Sequence, residues 1–115
     1  MDDASWRRVA GLLGLGVRSR GAVVGVDRVR DAAKRGRLYF AVVAPDASRN
    51  SLDKVVPLLS ARRIRYVEGP SASALGALAG RDTTAVIGVV DPQLARGIRK
   101  IVESGPDGDR REETV

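Results

Sequence analysis

The 115-residue sequence contains no cysteine and no histidine. Without these residue types the chain can build neither the common zinc sites nor a nucleophilic site that depends on a Cys or on a His base. Carboxylates, hydroxyls, lysines and arginines remain available for chemistry. The lack of cysteine also fits a reducing compartment, so we expect a cytoplasmic protein.

Long apolar runs are absent as well. No stretch of about 18 apolar residues occurs, so the sequence predicts no membrane span. The first residues, MDDASWRR, begin acidic and lack an apolar segment, so we expect no secretory signal. A membrane partner is therefore not predicted.

Basic residues outnumber acidic ones. The chain carries 20 Lys and Arg against 14 Asp and Glu, and 17 of the 20 basic residues are arginine. The whole chain has a net charge of +6. Residues 104–115 have a net charge of −2, so residues 1–103 have a net charge of +8. Arginine suits bidentate phosphate contacts, but a GC-rich genome produces the same bias. The composition is thus compatible with an anionic partner and does not identify one.

Helical and strand-like patterns alternate along the chain. Helices are predicted over 5–17, 26–35, from Ser48 or Ser51 to Arg63, over 71–80 and over 91–102, and strands over 22–26, 38–44, 64–69 and 83–90. This alternation predicts an α/β fold, a three-layer α/β/α sandwich around a sheet of about four strands. We expect one domain over residues 1–103, followed by a disordered polar tail over 104–115.

Two features that suggest catalysis have simpler structural explanations. Gly14 and Gly16 are spaced as G-x-G, but Ser19 stands at the third position and the glycines lie in a helical pattern, so a dinucleotide site is not favoured. Several carboxylates stand at predicted helix starts, where they cap backbone N–H groups. The carboxylates considered are Asp27, Asp31, Asp46, Glu68, Asp82 and Asp91. We expect no enzymatic activity, no metal and no cofactor.

The stretch VVGVDRVRDAAKRG, residues 23–36, holds the most informative local feature. A short apolar strand runs into Gly25, and a charged helix follows and stops at Gly36. A helix N-terminus exposes unpaired N–H groups, and a glycine there lets a phosphate or a base edge approach closely. Charge alone, however, favours a solvated basic face.

The order of several segments resembles the ribosomal L7Ae family, and especially its short bacterial YlxQ-type branch, over about residues 12–103. The segments are LLGLGVRSRGAVVG, GVDRVRDAAKRG, LYFAVVAPDAS, VPLLSARRIRYV, GPSASALGALAG and RDTTAVIGVV. The resemblance implies an α/β/α sandwich that binds kink-turn RNA. It places the RNA surface at the start of the helix after the first strand, residues 25–31, and at the loop before the last strand, residues 80–85.

Carried over by position, the resemblance implies a set of RNA-binding residues on these two segments. They are Gly25, Val26, Asp27, Arg28, Arg30, Asp31, Arg81, Asp82, Thr83 and Thr84. RNA-binding relatives typically have Asn or Glu, then Glu, then Lys at the helix start, whereas this chain has Asp27, Arg28 and Asp31. Arg28 could read guanine or contact phosphate, while Asp31 replaces a cation near the RNA backbone.

Two functions follow from these observations. The first is a small non-catalytic protein that recognises structured RNA, either kink-turn-like or ribosomal, with the ribosome as a further candidate partner. The alternative is a protein-interaction adaptor on the same fold that has lost kink-turn specificity. The sequence does not indicate which oligomeric state the protein adopts.

Overall fold

The structure is a computed structural model that describes the backbone of residues 1–114 and the side chains of residues 1–104. Helices and strands alternate after the first helix. In chain order they are α1 (Asp3–Ser19), β1 (Ala22–Val24), α2 (Val26–Lys34), β2 (Phe40–Val43), α3 (Arg49–Ala61), β3 (Tyr66–Glu68), α4 (Ala72–Leu78), β4 (Val86–Val89) and α5 (Pro92–Thr114).

The strands form one sheet in the order β1-β4-β2-β3. β4 is antiparallel to both of its neighbours, with Ala22 and Phe40 on either side of Val89, whereas β2 and β3 are parallel. Every residue of the interior strands β2 and β4 is buried. Burial on both faces explains why these strands read as continuous apolar runs in the sequence.

Helices cover both faces of the sheet, so the predicted three-layer α/β/α sandwich is confirmed. α1, α4 and α5 pack on one face, around a cluster that includes Leu13, Phe40 and Ile98. α2 and α3 pack on the other face, around a cluster that includes Val29 and Leu59. Alternation along β2 serves both clusters, since successive side chains of a strand point to opposite faces.

The shared face of α2 and α3 follows from the topology. α2 connects β1 to β2 and α3 connects β2 to β3, and both crossovers move in the same direction across the sheet. Crossover connections between parallel strands are almost always right-handed, so consecutive crossovers in one direction lie on one face. This arrangement brings the first turns of α2 and α3 side by side.

Two details of the helices differ from the sequence-based expectations or complete them. α1 starts at Asp3, two residues before the predicted start, and is capped by Asp2, since the Ser5 N–H donates to Asp2 Oδ1 at 3.1 Å. α3 starts after Ser48 and continues through Pro57. The proline removes the N–H that would pair with the carbonyl of Asp53, an exposed residue where water can take its place.

The predicted disordered tail covers residues 104–115, and only its first side chain, Ser104, is among the described ones. The backbone of α5 continues to Thr114, and side chains after Ser104 lie outside the described residues. Disorder over 104–115 therefore stays a prediction. Within the described part of the chain, no helix is long and apolar enough to cross a membrane.

Candidate nucleic-acid interface

The N-terminus of α2 is built around Gly25. This residue adopts φ 98° and ψ 161°, a combination that is essentially restricted to glycine. Its N–H donates to the Val86 carbonyl at 3.0 Å, and its own carbonyl accepts from the Val29 N–H at 3.1 Å. Because glycine has no side chain, no side-chain cap covers the first turn of α2. The positive end of the helix dipole is left open.

A second segment, the loop between α4 and β4, is held firmly against α4. The Arg81 N–H donates to the Gly76 carbonyl at 2.9 Å, and the Thr84 N–H donates to the Ala72 carbonyl at 3.1 Å. A Cβ on Gly76 would lie only 2.7 Å from backbone atoms of Thr83. Only glycine therefore permits this close approach of loop and helix.

The loop directs Arg81 toward the open end of α2. Its Nη1 atom lies 3.8 Å from the position that a Cβ on Gly25 would occupy. The two segments that the resemblance selects, separated by about fifty residues in sequence, thus meet at one end of the sheet because β1 pairs with β4.

A groove of about 430 Å³ opens at this meeting point, and we call it the α2 groove. It is lined by Val24, Gly25, Val26, Asp27, Arg28, Ser51, Lys54 and Arg81. Arg28, Lys54 and Arg81 supply three cations against the single carboxylate of Asp27. Together with the open helix end, this excess of positive charge suits an anionic ligand.

Half of the residues expected at the interface do not line the α2 groove. Arg30 is half-buried and donates from Nη1 to the Lys54 carbonyl at 2.5 Å, so its side chain joins α2 to α3. Thr84 is buried and donates from Oγ1 to the Val86 carbonyl at 3.5 Å, which fixes the loop. Asp82 and Thr83 are exposed on the loop.

Asp31 lies one turn along α2 and is paired within its own helix. Its Oδ1 accepts from Arg35 Nε at 3.1 Å, and more than 60% of each side chain is exposed. The ion pair compensates the negative charge that the sequence places near the expected RNA backbone. An exposed pair of this kind adds only about 0–1 kcal/mol to stability.

Three groove residues, Val24, Ser51 and Lys54, were missed by the sequence analysis. Val24 is the last residue of β1, whereas Ser51 and Lys54 lie in the first turns of α3. The signal that could have found Ser51 and Lys54 is topological. Because β1, β2 and β3 follow one another in one direction across the sheet, α2 and α3 lie on the same face, and this strand order has to be known before α3 can be placed beside α2. The resemblance was carried over for the other two segments and did not include α3.

A second depression of about 490 Å³ lies on the opposite flank of α2. Val23, Ala32 and Val90 contribute apolar surface, and Arg35 and Arg37 contribute charge. Asp27 and Arg28 line both depressions, so they form the ridge between them. Among the described side chains, no group of three or more Asp and Glu residues is arranged to hold a metal ion.

Solved structures share this fold. A protein with unknown function from Bacillus halodurans has a TM-score of 0.75 at 24% identity, covering 84% of this chain and 97% of its own. A 15.5 kD RNA-binding protein from Giardia lamblia has a TM-score of 0.77 at 18% identity, covering 90% of this chain and 89% of its own. At these identities the likeness shows the fold alone.

The comparisons of the sequence gave different results for individual proteins and for families. No curated protein sequence matches the chain. A family model, in contrast, matches residues 7–99, a range that includes all four strands and every residue that lines the α2 groove. The chain belongs to the ribosomal protein L7Ae/L30e/S12e/Gadd45 family.

Proposed function

We propose that this chain is a non-catalytic RNA-binding protein that recognises structured RNA, kink-turn-like or ribosomal, through the α2 groove. Membership in a family of ribosomal proteins supports this function, as does the fold shared with an RNA-binding protein. A cytoplasmic location belongs to the same proposal, since structured and ribosomal RNA are met there.

The observation that carries the proposal is the combination of an uncapped helix N-terminus with three cations around one groove. The first-turn amides of α2 have no side-chain cap, and Arg28, Lys54 and Arg81 surround them. Backbone N–H groups at a helix start bind phosphate or a base acceptor, while arginine adds bidentate contacts to phosphate or to guanine. The two kinds of donor act on one ligand because they face the same space.

Individual roles follow from the chemistry of each side chain. Arg28 stands on the ridge and reaches phosphate or the O6 and N7 acceptors of guanine. Asp27 accepts a hydrogen bond from a base amino or imino group. Lys54 and Arg81 contact phosphates on either side of the groove, and such contacts position RNA without reading its sequence.

The resemblance assigns kink-turn specificity to the positions of Asp27, Arg28 and Asp31, where this chain lacks the residues typical of RNA-binding relatives. The Asp31–Arg35 pair lowers the repulsion that a free carboxylate would impose on phosphate. Arg28 adds a cation where relatives place a carboxylate. We therefore expect kink-turn RNA to bind more tightly than plain duplex, with a larger contribution from phosphate contacts than in relatives.

The protein-interaction adaptor is the second candidate. The depression on the other flank of α2 favours it, because Val23, Ala32 and Val90 offer apolar surface beside charged rim residues. An amphipathic protein segment matches such a surface better than RNA does. Capture of a protein by this face with no RNA bound at the α2 groove would replace the first proposal.

Binding of kink-turn RNA and of a duplex of equal length, measured across a salt series, tests the function. Arg28→Glu should reduce the salt slope by about 1, since one phosphate contact is lost, and the added negative charge should weaken kink-turn binding further by repulsion. Arg7→Glu, an equal charge change on the exposed outer side of α1, is the matched control. Equal affinity for both RNAs excludes kink-turn recognition, and an unchanged affinity of Arg28→Glu excludes the α2 groove.

A further inference from the structure

A third groove, which we call the Tyr39 groove, lies at the opposite end of the sheet from Gly25. The Tyr39 N–H donates to the Val89 carbonyl at 2.9 Å, whereas the Gly25 N–H donates to the Val86 carbonyl at the other end of β4. With a rise of about 3.3 Å per residue, these two ends of β4 are about 10 Å apart along the strand. The two grooves are therefore separate surfaces.

The Tyr39 groove combines an exposed aromatic ring with a row of cations. It has a volume of about 420 Å³ and is lined by Tyr39 and by one face of α5. Tyr39 is 46% exposed, whereas Trp6 and Tyr66 are half-buried and Phe40 is buried. Arg96, Arg99 and Lys100 follow at helical i, i+3 and i+4 positions, so they share one face beside the ring.

The charge of this groove is only partly compensated. Glu103 is the one carboxylate in its described lining, and it already accepts from Arg65 at 3.4 Å and lies 3.7 Å from Arg99 Nε. Within residues 1–104, neither Arg96 nor Lys100 forms an ion pair. As far as the described side chains of residues 1–104 go, two cations beside the ring are thus available to a ligand.

We propose that the Tyr39 groove is a second RNA-binding site, which takes unpaired nucleotides. A base stacks on the ring of Tyr39, and the neighbouring phosphates contact Arg96 and Lys100. Aromatic stacking with adjacent backbone contacts is the general mode by which proteins hold single-stranded RNA. The choice of RNA as the ligand rests on the proposed function, while the site itself rests on this groove.

The aromatic ring distinguishes this ligand from an acidic peptide. A peptide of Asp and Glu would use the cations alone and leave the ring unused, whereas a nucleotide has both a flat π-face and a phosphate. Occupied together, the two grooves would hold separate segments of one RNA on opposite ends of the sheet. The α2 groove would take the folded part and the Tyr39 groove an unpaired flank.

Fluorescence anisotropy of the full chain with a labelled short oligouridylate tests the site, because this RNA cannot fold into a kink-turn. Tyr39→Ala should weaken binding about tenfold through lost stacking, and Tyr39→Phe should retain it. Arg96→Glu combined with Lys100→Glu should abolish it at physiological salt. Arg7→Glu combined with Arg8→Glu makes the same change in net charge on α1, outside this groove, and should cost far less.

Photocross-linking with a thiouridine-containing oligonucleotide gives a direct readout. The cross-linked peptide should contain Tyr39, and the cross-link should survive in Arg28→Glu. Circular dichroism melting of each variant confirms that the fold is retained, as expected for substitutions of exposed side chains.

The outcomes separate this site from the proposed function. Unchanged oligouridylate affinity in Tyr39→Ala overturns the Tyr39 groove. So does a loss in the α1 control, Arg7→Glu with Arg8→Glu, that equals the loss in Arg96→Glu with Lys100→Glu. Both results hold whatever Arg28→Glu does to kink-turn binding. An acidic peptide that binds here while oligouridylate does not also overturns it. Loss of oligouridylate binding in Tyr39→Ala together with an unchanged kink-turn affinity of Arg28→Glu supports the Tyr39 groove and contradicts the α2 groove.

Discussion

The N-terminus of α2 differs from those of the other helices in the described chain. Asp2 caps α1, Ser48 caps α3 and Ser71 caps α4, each accepting from an N–H in the first turn. Asp91 does the same for α5, where the Gln93 N–H donates to its Oδ1 at 2.8 Å. α2 begins at Gly25, which has no side chain to accept such a bond.

The contrast separates helix ends that serve stability from one that is open to a ligand. α4 has two acceptors at its start, since Asp46 Oδ1 also accepts from the Ala72 N–H at 2.7 Å. α2 has none, and Arg28, Lys54 and Arg81 gather around its end. A side-chain cap typically contributes about 1 kcal/mol. Forgoing it at α2 has a cost in stability that a bound anion can offset.

Gly25→Ala should have the largest effect on this contrast. At φ 98° and ψ 161° a Cβ is strained, so we expect a loss of about 2 kcal/mol in the free energy of unfolding, measured by urea denaturation. Relief of the strain would shift the first turn of α2 away from Arg81, so affinity for kink-turn RNA should fall as well.

Gly11→Ala is the matched control for this substitution. Gly11 lies exposed inside α1, and a Cβ there would meet nothing within 4 Å. Alanine in a helix interior should raise the free energy of unfolding by about 0.5–1 kcal/mol and leave RNA binding unchanged. If both glycine substitutions change the free energy of unfolding in the same direction, the backbone conformation of Gly25 does not determine the structure at the N-terminus of α2.

Ser71→Ala tests a capped end in the same way. The hydroxyl of Ser71 accepts from the Ala74 N–H at 3.0 Å, and its loss should lower the free energy of unfolding by about 1 kcal/mol. Ser73→Ala, the same chemical change inside α4 without a capping bond, should be close to neutral. Equal effects of the two changes in a urea titration would show that the cap at α4 contributes nothing.

Lys54→Ala sharpens the functional side of the contrast. Lys54 lines the α2 groove from α3, so its removal should weaken RNA binding a few-fold and lower the salt slope by about 1. Lys34→Ala is the control, because Lys34 is exposed at the far end of α2 and lines none of the three grooves. If Lys34→Ala has the larger effect in a salt series, the positive surface lies elsewhere.

The Lys54 prediction also shows where sequence reasoning stops. Apolar periodicity, caps and glycines are local signals, and they predicted the helices, the strands and the layered fold because each element's burial depends on its own pattern. The position of Lys54 beside Gly25 depends on strand order and crossover handedness, which join distant segments. Resemblance supplied Arg81 as a partner of Gly25, but only the packed structure shows that Arg30 joins two helices through the Lys54 carbonyl.

The smallest effect is expected at Asp2, where a cap can be titrated. Hydrogen bonds from the Ser5 hydroxyl, and then from its N–H, hold the pKa of Asp2 below its ordinary value of 3.8. A lowered folded-state pKa means that the ionised carboxylate stabilises the fold above the ordinary value, and that this contribution disappears as the pH falls through the folded-state pKa. Asp2→Asn keeps a capping acceptor that does not titrate. The stability advantage of the native chain over Asp2→Asn should therefore shrink between neutral pH and pH values below the folded-state pKa, in urea midpoints measured along a pH series. Asp3→Asn removes an equal charge from the first turn and keeps the Asp2 carboxylate, and a pH profile of the same shape for both variants would show that ionisation of the Asp2 cap contributes nothing.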